Sequence, residues 1–422
     1  IDSGAGNTPN DSTLFEIASI SKVFVGSLVA KAVTENKISL EDDIRDYLEG
    51  TYNQLQFDDK PVTIKDLVTH TLGFRTPDRL ADVYDKIFAG YYKDTAIDYD
   101  MTDLLTELKS VQLDTVPGVR YEYSNVGPEI AAYILEQVYG QPYETILQNF
   151  LRELDIDNIH VQLFTEQEKY LANGYDEDGE VATVVKNPLL GGAGGLVASL
   201  PDLSKFMRLQ LESEEAFIEE STRYLLKDGE DDTGYYWDLG VAAREGFYYA
   251  KTGSAKGTES VILICPDSNY GMVMIMNNQS EAAIDDWVNL YNRIENDLIE
   301  YPRINLWSII ENDFFDNHQA ALDTYENLKK DSTNYFISAG YLNRVAYSYI
   351  HNDKLQEAIK IFQFAIMEYS ANANLYDSLG EVYFYTEEYE LSRANYEKSL
   401  QLDPDNTNAE NYLSELDKLL NQ

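Results

Sequence analysis

The sequence predicts an α+β domain, an antiparallel sheet flanked by helices, followed by an all-α helical-repeat domain. Three observations carry this reading. Strand-like segments succeed one another between residues 233 and 278 with only short turns between them, and short connections join antiparallel neighbours. Apolar residues at helical spacing mark several stretches of the first 300 residues. Beyond residue 305 the sequence repeats itself at an offset of 34 residues. A chain of 422 residues holds two or three domains at ~100–200 residues each. Its 44% apolar and 25% charged residues are those of a globular protein, which excludes wholesale disorder.

Taken in order, residues 14–35, 63–67 and 128–139 carry the helical pattern. The apolar run 23–33 reads as a buried helix, and 261–265 as a buried strand. Strands are expected at 235–242, 246–251, 260–265 and 270–276, the last two joined by the turn Pro266-Asp267-Ser268-Asn269. A helix over 281–298 would pack on that meander. Pro302 then interrupts helical periodicity, which divides the chain into residues 1–300 and 305–422. In the second part Leu342, Val345, Ala346, Tyr349, Ala358, Phe362 and Ala365 are answered by Tyr376, Leu379, Gly380, Tyr383, Ser392, Tyr396 and Ser399. This period and its placing of small and aromatic residues resemble the tetratricopeptide repeat, a helix–turn–helix unit. A degenerate unit is expected around 314–330, and a capping helix at 409–420. The aromatic residues here read as packing between paired helices.

Composition removes several functions. With 32 Lys and Arg against 74 Asp and Glu, the net charge is −42, which repels phosphate backbones and argues against nucleic acid as a partner. The single cysteine, Cys265, permits no intramolecular disulfide and no thiolate-built zinc or iron–sulfur centre. No apolar run reaches the roughly 18 residues of a membrane span. No H-E-x-x-H pattern occurs, and Asp176-Glu177-Asp178-Gly179 lacks the remaining ligands of a calcium loop and reads as a hairpin turn. No metal or cofactor is predicted. The polar opening, which does not begin with Met, reads as a processed or trimmed start.

Nucleophilic chemistry has few candidates. Of four histidines, His318 and His351 lie in the helical repeats, leaving His70 and His160, and no G-x-S-x-G elbow is present. Ser19-Ile20-Ser21-Lys22 is the only S-x-x-K in the chain and opens the buried helix. Helical residues three apart share a face, with Cβ atoms ~5–6 Å apart, so the Lys22 amine reaches the Ser19 hydroxyl. That hydroxyl then becomes nucleophilic without histidine, at a helix N-terminus that favours developing negative charge. Such a spacing also arises by chance in a chain of this length. Two further elements give it weight: Tyr123-Ser124-Asn125 after the turn Pro117-Gly118, and Lys251-Thr252-Gly253-Ser254 at the end of a predicted strand. Two other Y-x-N triplets, at 325–327 and 341–343, fall in the repeats.

The order S-x-x-K, Y-x-N, K-T-G resembles the serine β-lactamase and penicillin-binding protein superfamily, in the branch of class C β-lactamases, D-alanyl-D-alanine peptidases and related esterases. Residues 13–18, 62–74, 191–196 and 201–203 (TLFEIA, VTIKDLVTHTLGF, GGAGGL and PDL) resemble the same family, and the likeness covers about residues 1–298. It implies a β-lactamase-like antiparallel sheet flanked by helices. It also implies acyl-enzyme formation on Ser19, with Tyr123 as general base and then acid, and Lys22 and Lys251 supplying the positive charge that would bring its phenol into a useful range. Asn125 would bond substrate amides and Lys22. The oxyanion would rest on the backbone N–H groups of Ser19 and Ser254, with Thr252 and Gly253 completing the substrate wall. Which of Tyr123 and Lys22 removes the proton stays open.

His70 is expected to be a structural hydrogen-bonding residue, and Gly192 and Gly194 to permit close packing near the site. Lys251 resembles the class C cation facing a substrate carboxylate, which points to β-lactams or D-alanyl peptides. A small-acyl esterase and a non-catalytic peptidoglycan-binding sensor are the alternatives. The resemblance implies a periplasmic or secreted bacterial protein, and the repeats a protein partner or self-association. Family members place a helix and two strands before the nucleophile, so residues preceding Ile1 are expected to have been removed.

Overall fold

The computed structural model describes residues 8–88, 97–161, 168–182, 189–227, 231–242, 246–301, 303–351, 354–404 and 406–420. The chain forms two compact units, Ile1–Ala283 and Ile284–Gln422. The helix Glu281–Ile299, which the sequence reading places with the sheet, is grouped with the second unit. Pro302 lies outside the described residues.

In the first unit, strand β1 (Leu14–Glu16) leads through a 3₁₀ turn (Ala18–Ile20) into helix α1 (Ser21–Thr34). The helical reading of 14–35 is therefore corrected at its start. Leu14, Phe15 and Glu16 pair antiparallel with Ser199, Ala198 and Val197, and this strand pairing overrides the apolar continuity with the helix. Helix α1 is apolar on nearly every face, so it is buried. A Cβ at Gly26 would lie 2.1 Å from the Tyr235 carbonyl oxygen, so glycine lets the Tyr235 backbone rest on the helix. The ring of Phe24 meets that of Phe206 at 4.3 Å in the same core.

Helix α2 (Ile64–Val68) starts in a capping box in which Thr63 and Asp66 satisfy each other's backbone N–H groups. Helix α3 (Val126–Tyr139) stops at Gly140, whose φ of 65° is the left-handed C-cap conformation. Strands β2 (Ile159–Val161) and β3 (Leu196–Ser199) complete a three-stranded sheet in the order β1-β3-β2. Helix α4 (Leu200–Glu212) follows, N-capped by Ser199 with Pro201 in its first turn.

The larger sheet is the predicted meander: β4 (Thr233–Gly234), β5 (Trp237–Ala242), β6 (Gly246–Ala255), β7 (Thr258–Cys265) and β8 (Tyr270–Met276), in the order β8-β7-β6-β5-β4. Strand β6 runs past the expected end at Lys251, because Thr252, Gly253 and Ser254 continue the ladder opposite Val261, Ser260 and Glu259. Asp176–Gly179 turns between the short paired strands Gly174–Tyr175 and Val181–Ala182, as a hairpin turn should.

The second unit is helical, with pairs Leu306–Asp316 and His318–Leu328, Ala339–His351 and Leu355–Glu368, and Ala373–Tyr385 and Tyr389–Leu402, ending in Thr407–Leu420. The repeat positions Ala346, Ala358, Ala365, Ser392 and Ser399 are all buried. A Cβ at Gly380 would lie 3.1 Å from the Tyr396 ring, so the aromatic residue packs on the glycine.

Candidate active site

Ser19 sits in the 3₁₀ turn that feeds α1, and Lys22 lies one turn on. The amine Nζ lies 3.0 Å from Ser19 Oγ, 2.8 Å from Asn125 Oδ1 and 2.5 Å from the Ala193 carbonyl oxygen. Lys22 is wholly buried. Burial, followed by repulsion from Lys251, holds its pKa well below that of an ordinary lysine against the pull of Glu129 and Asp238. A neutral amine has two hydrogens and one lone pair. Nζ donates to Ser19 Oγ as well as to Asn125 Oδ1 and the Ala193 carbonyl oxygen; because the last two can only accept, an amine that gives up one proton turns its lone pair toward the Ser19 hydroxyl.

Tyr123 donates its hydroxyl to Ser19 Oγ at 2.7 Å. Its ring has Lys22 Nζ at 4.9 Å and Lys251 Nζ at 5.4 Å from the centroid. The two cations expected beside the phenol are in place, but the expected fall in its pKa is corrected. Withdrawal from water pushes the phenol up to about 12, the Ser19 hydrogen bond opposes this, and Asp238 adds to the rise. Tyr123 is thus a phenol, and the group shifted toward its unprotonated form is Lys22.

Three supports fix this geometry. His70, in the left-handed region at φ 58°, accepts a hydrogen bond from the Ser124 N–H at Nδ1 (3.2 Å), and its ring lies 4.7 Å from that of Tyr123. Burial, then Lys251 and Lys22, hold its pKa well below the usual imidazole value, so its role is structural, as expected. Glu129, wholly buried in α3, accepts from the N–H groups of Leu190 (3.0 Å), Gly191 (3.2 Å) and Ala193 (3.0 Å), which places the Ala193 carbonyl against Lys22. A Cβ at Gly192 would lie 2.5 Å from the Pro128 carbonyl oxygen, as its packing role requires. Gly194 has no such need, because its nearest neighbour would be Ala18 at 3.8 Å, and that expectation is corrected.

Lys251 is almost fully buried on β6 and its Nζ lies 2.9 Å from Asp238 Oδ1 on β5. Thr252 and Ser254 are exposed. A Cβ at Gly253 would lie 2.2 Å from the Ile17 carbonyl oxygen, so only glycine brings β6 against the backbone that leads into Ser19. The hydroxyl of Ser254 donates to Glu259 Oε1 at 2.7 Å. The structure therefore joins Ser19, Lys22, Tyr123 and Asn125 by direct contacts and brings Lys251 beside the Tyr123 ring. Sequence reading missed Asp238, Glu129 and the Ala193 carbonyl. His160 lies in β2, and no contact joins it to this cluster. Among the described residues no group of His, Cys, Asp and Glu is arranged to hold a metal ion, and no helix is long and apolar enough to cross a membrane.

A serine flanked by lysine and tyrosine, on a helix beneath an antiparallel sheet whose inner strand carries K-T-G, defines the β-lactamase and penicillin-binding protein class of fold. The Beta-lactamase family matches residues 2–292, and the chain belongs to that family. The tetratricopeptide repeat family matches residues 373–406. Among curated proteins the chain is similar to Protein flp of Staphylococcus aureus strain N315, 23% identical over 312 residues, covering 72% of this chain and 60% of that protein. It is also similar to a Beta-lactamase of Providencia stuartii, 22% identical over 330 residues, covering 68% of this chain and 77% of the relative. The chain thus spans about 60% of the length of the staphylococcal relatives. Among solved structures, a penicillin binding protein from Bacillus halodurans superposes with a TM-score of 0.57 at 22% identity, over 69% of this chain and 88% of that one. A Beta-lactamase/D-alanine Carboxypeptidase from Yersinia pestis, complexed with citrate, gives 0.53 at 21% identity, over 66% and 81%. At these identities the two structures share the fold.

Proposed function

We propose that this chain is a serine hydrolase acting through an acyl-enzyme on Ser19. The observation that carries the proposal is the position of Ser19 Oγ, 3.0 Å from Lys22 Nζ and 2.7 Å from the Tyr123 hydroxyl. Lys22 Nζ takes the Ser19 proton as Oγ bonds to the substrate carbonyl carbon, and the carbonyl electron pair moves onto oxygen. The backbone N–H groups of Ser19 and Ser254 hold that oxyanion, a contribution of several kcal/mol where donors are preorganised. Tyr123 protonates the leaving group as its bond to carbon breaks, and its phenolate recovers a proton from the Lys22 ammonium, which took it from Ser19. Water then attacks the acyl carbon, its proton passes to Lys22 Nζ and on to Ser19 Oγ as the bond between Oγ and carbon breaks, and the acid leaves. Asn125 orients Lys22 and the substrate amide.

The family and the K-T-G lysine support β-lactams or D-alanyl peptides as acyl donors. One observation favours a second reading, hydrolysis of small-acyl esters: Asp238 already occupies Lys251 at 2.9 Å. A non-catalytic sensor would have no use for a buried amine aimed at a serine. The relation to β-lactamases supports a periplasmic or secreted location, and the repeats support contact with a protein partner or a second copy.

The test is incubation with a fluorescent penicillin and with a p-nitrophenyl ester, read by intact mass and by absorbance. Turnover, or a covalent adduct on the wild type that Ser19→Ala loses while keeping its circular dichroism spectrum, is the expected result. Undiminished hydrolysis by Ser19→Ala moves the chemistry elsewhere.

A further inference from the structure

We infer that Asp238 is a specificity-determining residue that turns this site toward acyl donors whose leaving group is neutral or cationic and away from those bearing a carboxylate. The inference rests on the acyl-enzyme reading and specifies its substrate class. Asp238 lies on β5 opposite Ala250 of β6, between the buried Trp237 and Leu239. Its Oδ1 holds Lys251 Nζ at 2.9 Å, yet the two partners are unequally covered, since the lysine side chain is 4% exposed and the aspartate 51%. The charge this wall offers to a solute is therefore the carboxylate's, and the ammonium stands behind it.

A second acid lies further along the strand. Ser254, exposed at the rim, gives its hydroxyl to Glu259 Oε1 at 2.7 Å, and Gln279 Nε2 donates to that same oxygen at 2.6 Å. Asp238 and Glu259 thus each accept from a side-chain donor of this strand. An incoming carboxylate has to break a 2.9 Å ion pair and approach an exposed like charge, in a chain whose net charge of −42 repels it further. An ammonium or a neutral N–H donor meets the open side of Asp238 and leaves Lys251 in place beside Tyr123.

Three aryl esters of N-acetylglycine test this, differing only in the meta substituent of the phenol: carboxylate, carboxamide or aminomethyl. For the wild type, kcat/KM is expected to rank aminomethyl over carboxamide over carboxylate, with a narrower spread at high salt. In Asp238→Asn the aminomethyl-to-carboxylate ratio is expected to fall by about 25-fold, from ~5-fold lost on one ester and ~5-fold gained on the other, as for a partly exposed pair. Asp238→Glu, which keeps the charge, should retain the wild-type order. A wild type that prefers the carboxylate ester, or an Asp238→Asn variant that scales all three equally, overturns the inference. Turnover of the carboxamide ester that does not depend on Ser19 would overturn the acyl-enzyme reading instead. Binding of 3-(aminomethyl)phenol against 3-hydroxybenzoate to Ser19→Ala, followed by ligand-observed NMR, decides the inference with or without turnover. Tighter binding of the ammonium supports it, and tighter binding of the carboxylate overturns it.

Discussion

Lys22 and Tyr123 both touch the Ser19 oxygen, and the pH dependence of acylation separates their roles. Even an ordinary phenol is a tyrosinate in only about one molecule in 10³ at pH 7, which adds ~4 kcal/mol to any route using it as the base, and the rise of Tyr123 to about 12 moves it further from that role. Lys22 carries a far smaller penalty, since burial and Lys251 move its pKa downward. A plot of kcat/KM against pH, measured by stopped flow on a p-nitrophenyl ester, should show one rising limb at lower pH than an ordinary lysine would give, followed by a plateau. Tyr123→Phe keeps the ring between the two lysine Nζ atoms and against His70 but removes the proton donor. It should lower the plateau by about 10²–10⁴-fold and leave the limb where it is. A limb that climbs with unit slope past pH 10, or that vanishes in Tyr123→Phe, would refute this assignment and make the phenol the base.

Gly253→Ala forces a Cβ to within 2.2 Å of the Ile17 carbonyl oxygen, a backbone atom without a rotamer to escape into. We expect a loss of about 1–3 kcal/mol in urea unfolding and, as β6 shifts away from Ser19, roughly 10²-fold in kcat. An unchanged kcat would detach that strand from the chemistry. Glu16 on β1 has its carboxyl raised by burial to about 7 from an ordinary 4.5. Below pH 4.5 it is protonated in folded and unfolded chains alike. Between 4.5 and 7 only the unfolded chain releases its proton, so stability falls across that window and stays lowered above it. Glu16→Gln should therefore gain about 2–3 kcal/mol on the wild type at pH 8 and little at pH 4. A difference that does not vary with pH would contradict this.

Much of this was legible because it is local or periodic. Ser19 and Lys22 are one helical turn apart, the meander shows its turns, and the 34-residue offset is visible without coordinates. The residues that were missed act across the chain. Asp238 alternates with buried neighbours on a strand, so its exposure reads as an ordinary solvated face, and only the partner strand reveals Lys251 beneath it. The Ala193 carbonyl is a backbone atom and leaves no trace in residue type. Glu129 did carry a signal, an acid within the apolar run Val126–Tyr139, where an unsatisfied carboxyl would be costly. Strand β1 was hidden because its apolar residues run on into α1. The phenol pKa depended on burial and on Asp238, neither of which a motif encodes.

Glu129 also bears on how much this side of the site can yield. Buried itself, it accepts from the N–H groups of residues 190, 191 and 193, and drawing that segment outward would break three hydrogen bonds to a buried carboxylate. This side of the cleft is thus an anvil: the carbonyl that faces Lys22 is held from behind, and on the acyl-enzyme reading acyl groups of different bulk are accommodated by yielding elsewhere around the serine.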